Sequence, residues 1–275
     1  MQNPTIAFIG GGNMAASLIG GLIADGWDAG RIHVAEPDPE RRQLLHDRYG
    51  VRSGADNRAA VGGADVVVLA VKPQVLRDVA GEIADAVTEK RPLVISIAAG
   101  VRESDVGGWL GGGAAIVRTM PNTPALVQSG ATALYANPRV TDGQRDLAES
   151  VMRAVGLTQW VPDEASLDTV TALSGSGPAY FFLVMEALEQ AAVELGMEPA
   201  QARLLTLQTA FGAAKMALES TDGPAELRRR VTSPGGTTER ALQVLEQGGL
   251  RALLHDAVEA AQTRSVELAD KLGGK

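Results

Sequence analysis

Short β-branched runs at residues 5–9, 32–35, 65–71, 93–98, 115–120, 131–135 and 157–161 alternate with segments carrying apolar residues at helical spacing, such as 40–49, 74–88 and 142–155. From residue 166 onward the strand signal is gone. Strands joined through helices pair in parallel and are covered on both faces, so the first part predicts a mostly parallel, doubly wound sheet. Residues 178–195, 199–218, 224–231, 239–246 and 250–272 read instead as helices separated by Gly, Pro and Ser-Pro punctuation. The expected organisation is an α/β domain at 1–163 and an all-α domain at 164–275, the boundary falling near Pro162 to Ser166. Residues 179–184 and 204–214 are apolar on more than one helical face, which predicts burial against a second subunit.

Composition narrows the partners. A net charge of −8, with Arg228 to Arg230 as the one short basic run, argues against nucleic acid and against anionic membrane. With no cysteine there is no disulfide framework, thiolate nucleophile or Cys-ligated metal, which fits a reducing compartment. Residues 5–24 carry no charge, yet no basic residue precedes them and five glycines dilute the run, so it is not read as a leader or a span. His33, His46 and His255 lack metal-ligand spacing, and no metal site is expected. No G-x-S-x-G elbow is present, and Pro178 makes the Ser174-Gly175-Ser176-Gly177 stretch a helix start rather than a nucleophile loop.

The chemistry centres on two loops. Gly10-Gly11-Gly12-Asn13-Met14-Ala15 follows the first strand and opens a helix, the context in which G-x-G-x-x-A binds a dinucleotide. The first glycine permits the tight turn, the second lets a pyrophosphate approach, and Ala15 allows close helix packing, while free N–H groups face the phosphates. Glu36, closing the second strand, stands where a carboxylate accepts hydrogen bonds from the adenosine ribose. Taken alone it favours NAD, but Arg41 and Arg42 follow closely enough to reach a 2′-phosphate, and the preference between NADH and NADPH stays open. Lys72 and the small residues of 97–100 end two further strands at the ligand-binding edge of the sheet; on spacing alone Lys72 reads as a surface charge, and the small residues would permit close approach by a nicotinamide ring or simply make a turn. The second loop, Ser233-Pro234-Gly235-Gly236-Thr237-Thr238, suits either a carboxylate site or an N-cap with a Gly turn.

Residues 8–15, 70–73, 96–101, 120–124, 173–180 and above all 233–238 resemble the motif set of the pyrroline-5-carboxylate reductases, in matching order over nearly the whole chain. The resemblance implies an N-terminal Rossmann domain followed by an all-α dimerisation domain, and reduction of 1-pyrroline-5-carboxylate to L-proline by NADPH or NADH. It implies cofactor binding by Ile9, Gly10, Gly11, Gly12, Asn13, Met14, Glu36, Asn57, Ala70, Val71, Lys72, Pro73, Ala98 and Ala99. The substrate would meet Ser233, Gly235, Gly236, Thr237, Thr238 and Asn122, with Thr238 the catalytic residue, hydrogen-bonding the ring nitrogen. Glu36 departs from the small polar residue or asparagine of members that favour NADPH. The likeness further implies a cytoplasmic homodimer with interlocked helical domains, assembled into a decamer. A β-hydroxyacid dehydrogenase would share the plan but needs a lysine early in its first long second-domain helix, and none occurs between Ser174 and Glu198.

Overall fold

The computed structural model describes residues 4–274. Contacts divide the chain into two units, one running to Ser176 and resuming at Ala260, the other Gly177–Glu259. The first is built on eight strands: β1 (Ile6–Ile9), β2 (Ile32–Ala35), β3 (Arg52–Gly54), β4 (Val66–Leu69), β5 (Leu93–Ser96), β6 (Ala115–Met120), β7 (Gly130–Ala136) and β8 (Gly156–Trp160). Their order is β3-β2-β1-β4-β5-β6-β7-β8. Every neighbouring pair is parallel except β6 and β7. The connection 121–129 is too short for a crossover helix, so the chain turns back on itself there. The order of the first six strands is that of a doubly wound dinucleotide-binding sheet, whose switch point lies between β1 and β4.

Seven of these strands match the expected runs; β3 carries only exposed residues and left no apolar signal. In β1, β4 and β5 every residue is buried, the pattern of strands covered on both faces. Alternate residues feed two cores. Phe8, Val34, Ile95 and Val117 pack on one face with Leu18, Leu22 and Val151, while Ile9, Val67, Leu69 and Val94 pack on the other with Leu76 and Ile83. The covering helices are α1 (Asn13–Ala24), α2 (Pro39–Tyr49), α3 (Asn57–Val61), α4 (Pro73–Lys90), α5 (Glu103–Trp109) and α6 (Asp142–Arg153). Thr141 and Gln144 close a capping box at the start of α6. Thr141→Ala should therefore lower unfolding stability by about 1 kcal/mol, read from the urea midpoint at unchanged slope.

Residues 164–176 pack with the sheet. They form α7 (Ser166–Val170) and a π-helical turn, Thr171–Gly175. The buried Arg118 guanidinium of β6 donates to Glu164 at 2.9 Å, and the same carboxylate oxygen accepts the Glu103 N–H at 2.5 Å. The last helix, α12 (Leu250–Leu272), returns its C-terminal half to this unit. There Ser265 donates to Asp168 at 2.7 Å, Gln262 to Thr169 at 2.7 Å, and Arg102 pairs with Asp270 at 2.7 Å.

The second unit holds α8 (Gly177–Glu194), α9 (Pro199–Glu219), α10 (Pro224–Arg230), α11 (Thr237–Gln247) and the start of α12. Helices α8 and α9 lie against each other. Of the described residues in this unit only Gly177 and Ala202 are buried. Phe181, Phe182, Leu204 and Phe211 are 67%, 64%, 68% and 63% exposed. Apolar surface on that scale is what a chain keeps for a partner.

Candidate active site

The carboxyl edge of the sheet is assembled around Gly10. Its N–H donates to Ala35 at 2.8 Å, and Ala70 N–H donates to Ile9 at 2.8 Å, so the ends of β1, β2 and β4 are tied at one point. Gly10 has φ +99°, and a Cβ there would lie 2.7 Å from the Ala70 carbonyl oxygen. The turn therefore tolerates glycine alone. A Cβ on Gly11 would meet Leu45 at 2.8 Å, whereas around Gly12 the space is open except for the Arg41 guanidinium 3.9 Å away. Gly12 is the N-cap of α1 and no side chain caps that helix, which leaves its first-turn N–H groups and the positive end of its dipole facing outward. An uncapped N-terminus behind an open glycine is a seat for a pyrophosphate, so the residues present fit a dinucleotide.

The other expected cofactor residues lie along the same edge. Glu36 follows β2, and its carboxylate accepts the Gly11 N–H at 2.7 Å and the Asp38 N–H at 3.1 Å. Ala70 and Val71 are half-buried, Lys72 is exposed as the N-cap of α4, and Pro73 opens that helix. Ala98 is buried and Ala99 exposed just beyond β5, at a turn where Gly100 has φ +71°. Asn57 begins α3 near the end of β3, but its carboxamide donates to Glu82 at 2.9 Å. Asn122, after β6, is tied more fully. It donates to the Ser174 carbonyl and hydroxyl at 3.2 Å each, and accepts the Ala131 N–H at 2.9 Å. Its amide thus pins the π-helical turn, a local geometry that recurs at functional sites.

The loop 233–238 lies in the helical unit, ahead of α11. Gly235 has φ +71°, and its N–H is held at 2.8 Å by the Glu239 carboxylate. Gly236 N–H closes a turn onto the Ser233 carbonyl at 3.0 Å. These two glycines therefore shape the loop, and their N–H groups are occupied. Gly236 is the N-cap of α11 and no side chain caps it, leaving the N–H groups of Thr237, Thr238 and Glu239 outward. Among the described residues the hydroxyls of Ser233, Thr237 and Thr238 have no hydrogen-bond partner, and all three residues are exposed. Both an N-cap turn and an anion seat were open from the sequence; uncapped donors with idle hydroxyls favour the seat.

The Arg118–Glu164 pair and Ser174 beneath Asn122 were not anticipated; Glu239 closes the loop motif in the sequence, but its bond to Gly235 was not anticipated. Glu239 follows the N-cap by three residues, the spacing at which a glutamate reaches back over a helix start, and that signal was available. His255, Asp256 and Glu259 bring three ligand atoms within 4.8 Å on one exposed turn of α12, with no buried donor among them. No helix of the described residues is long and apolar enough to cross a membrane.

A doubly wound sheet with an open glycine turn at its switch point, joined to a helical unit, is the plan of an NAD(P)-dependent oxidoreductase. Residues 5–100 match the family described as NADP oxidoreductase coenzyme F420-dependent, and residues 164–268 match pyrroline-5-carboxylate reductase dimerisation. The chain belongs to the pyrroline-5-carboxylate reductase family. It is 50% identical to the pyrroline-5-carboxylate reductase of Pseudomonas aeruginosa over 99% of this chain and 100% of that one. The pyrroline-5-carboxylate reductase structure from Coxiella burnetii superposes with a TM-score of 0.94 at 50% identity, covering 97% of this chain and 98% of that chain. A Plasmodium falciparum pyrroline carboxylate reductase with NADP bound gives 0.86 at 28% identity, covering 98% and 99%. The helical region is accordingly a dimerisation domain.

Proposed function

We propose that this chain reduces 1-pyrroline-5-carboxylate to L-proline, with NADH or NADPH as donor, by direct hydride transfer to the C=N bond. The observation that carries this reading is the loop at 233–238, whose idle hydroxyls and uncapped helix N-terminus suit a small carboxylate. The division by function is 1–163 for the dinucleotide and 164–275 for substrate and dimer, in keeping with the start of the dimerisation match at residue 164.

When bound, the dinucleotide supplies the hydride. Gly10, Gly11, Gly12, Asn13 and Met14 would hold its pyrophosphate, with Ile9 leading into them, Glu36 would meet the adenosine ribose with Asn57 on the cofactor side, and Ala70, Val71, Lys72, Pro73, Ala98 and Ala99 would meet the nicotinamide half. Ser233 and Thr237 bind the substrate carboxylate on the loop that Gly235 and Gly236 shape, with the first-turn N–H groups of α11. Thr238 hydrogen-bonds the ring nitrogen. A protonated imine accepts hydride without a covalent nucleophile, so these groups orient the iminium rather than attack it. A threonine hydroxyl is a poor acid, and the iminium proton or water supplies charge balance. Asn122 contributes at one remove, by holding Ser174. Two copies interlock through the apolar helical surface and, by family likeness alone, dimers build a decamer in the cytoplasm.

The reaction is tested by following nicotinamide absorbance with pyrroline-5-carboxylate as varied substrate and proline as the product assayed. Thr238→Ala should lower kcat/KM roughly 10- to 100-fold while dinucleotide affinity is unchanged, and Thr238→Ser should restore most of it. Full turnover in Thr238→Ala sinks that role. No oxidation of either dinucleotide sinks the reaction.

A further inference from the structure

The sequence offers Glu36 against a 2′-phosphate and Arg41 or Arg42 in favour of one. The structure separates the three. Arg42 is half-buried, and its guanidinium donates to the carbonyl oxygens of Glu36 at 2.7 Å and Pro37 at 2.9 Å. It braces the backbone that presents Glu36, and leaving for a phosphate would break both bonds. Arg41 is exposed and reaches away from that corner, donating to the Asn13 side chain at 3.3 Å and lying over Gly12. It attends the start of α1, which meets the part common to both dinucleotides.

The remaining seat for a 2′-phosphate is the N-terminus of α2, and it is filled with negative charge. Asp38 caps that helix, accepting the Glu40 N–H at 2.9 Å, and Glu40 adds a carboxylate in the first turn. Glu36 is held in place: one carboxylate oxygen accepts the Gly11 N–H and the other the Asp38 N–H, and swinging away would break both bonds. Glu36, Asp38 and Glu40 thus put three carboxylates within five residues at the end of β2 and the start of α2, while Arg42 is bonded to backbone carbonyls and Arg41 to Asn13.

We infer that this enzyme selects NADH over NADPH, with Glu36 and Asp38 as the specificity-determining residues and Arg42 as the residue that positions them. The inference rests on the dinucleotide reading of the glycine turn but not on the identity of the imine. Its test is binding, measured by calorimetric titration of the full chain with NADH, NADPH, 5′-ADP and 2′,5′-ADP. NADH should bind about tenfold or more tighter than NADPH, and 5′-ADP tighter than 2′,5′-ADP by a similar factor. Glu36→Gln keeps an acceptor for Gly11 and removes the charge, so it should shrink both ratios several-fold by tightening the phosphorylated ligands. Asp38→Asn, which keeps the α2 cap, should do the same to a lesser degree. Equal or tighter NADPH binding by the native chain overturns the inference, as do unchanged ratios in both variants. If neither dinucleotide binds, the cofactor site falls with it. NADH preference without reduction of the imine upholds this inference and removes the proposed reaction instead.

Discussion

Gly10→Val should weaken dinucleotide binding at least about 100-fold and lower the stability of the sheet unit by a few kcal/mol. At φ +99° a β-branched side chain carries the left-handed penalty in full. The new Cβ would also lie 2.7 Å and 2.9 Å from the Ala70 carbonyl oxygen and carbon, backbone atoms that cannot rotate away. Relief requires parting β1 from β4, yet Ala70 N–H to Ile9 joins those strand ends at 2.8 Å, and Gly10 N–H to Ala35 ties β1 to β2 at the same distance. Opening the turn displaces the N–H groups proposed to receive the pyrophosphate. Gly12→Ala is the matched comparison: its Cβ enters open space, so the melting temperature should hold while the ligand meets a methyl group in its approach. Thermal melts paired with calorimetric titration of NADH separate the two effects. Native affinity in Gly10→Val would show that the turn is not where the dinucleotide sits.

Phe211→Asp should leave the protein monomeric at micromolar concentration and nearly inactive. Phe211 is 63% exposed on a helical unit where only Gly177 and Ala202 are buried, so the dimer must supply most of the apolar burial that this region lacks. A buried Phe is worth about 1.5–3 kcal/mol, and placing a carboxylate in the same surroundings costs several more. In a two-fold dimer both changes occur twice, so the expected loss exceeds about 6 kcal/mol, or roughly 10⁴-fold in the dimer constant. Light scattering behind size exclusion reads the mass directly. Leu204→Asp, 68% exposed on the same helix α9, should act alike. A native mass for both variants would place the interface elsewhere.

Much of the fold was legible because its signals are local. Each of β1, β2 and β4–β8 announced itself as a β-branched run, and loss of that pattern marked the change to helices. The edge strand β3 was not legible: Arg52, Ser53 and Gly54 are exposed, and their pairing follows from β2 rather than from their own character. At the site, the glycine turn and the 233–238 loop could be recognised as motifs, but the use of their donors could not. Gly235 and Gly236 look like free N–H groups in the sequence and are occupied in the structure, by Glu239 and by Ser233. Asn122 looks like a ligand-facing amide and spends its hydrogen bonds on Ser174 and Ala131.

What the amino-acid sequence determines alone, then, is what can be written in neighbouring residues: strand and helix periodicity, glycine where φ must be positive, an acidic residue at the end of the second strand, and a helical half too apolar to stand alone. What the tertiary structure decides is which polar groups meet. Glu36 reaches Gly11 across 25 positions, Arg118 reaches Glu164 across 46, and Ser265 reaches Asp168 across 97. Arg41 and Arg42 are adjacent in sequence, yet one lies over the glycine turn and the other braces the backbone behind Glu36. A hydrogen bond depends on positions to within a few tenths of an ångström, and those are set by how helices seat on the sheet rather than by residue type.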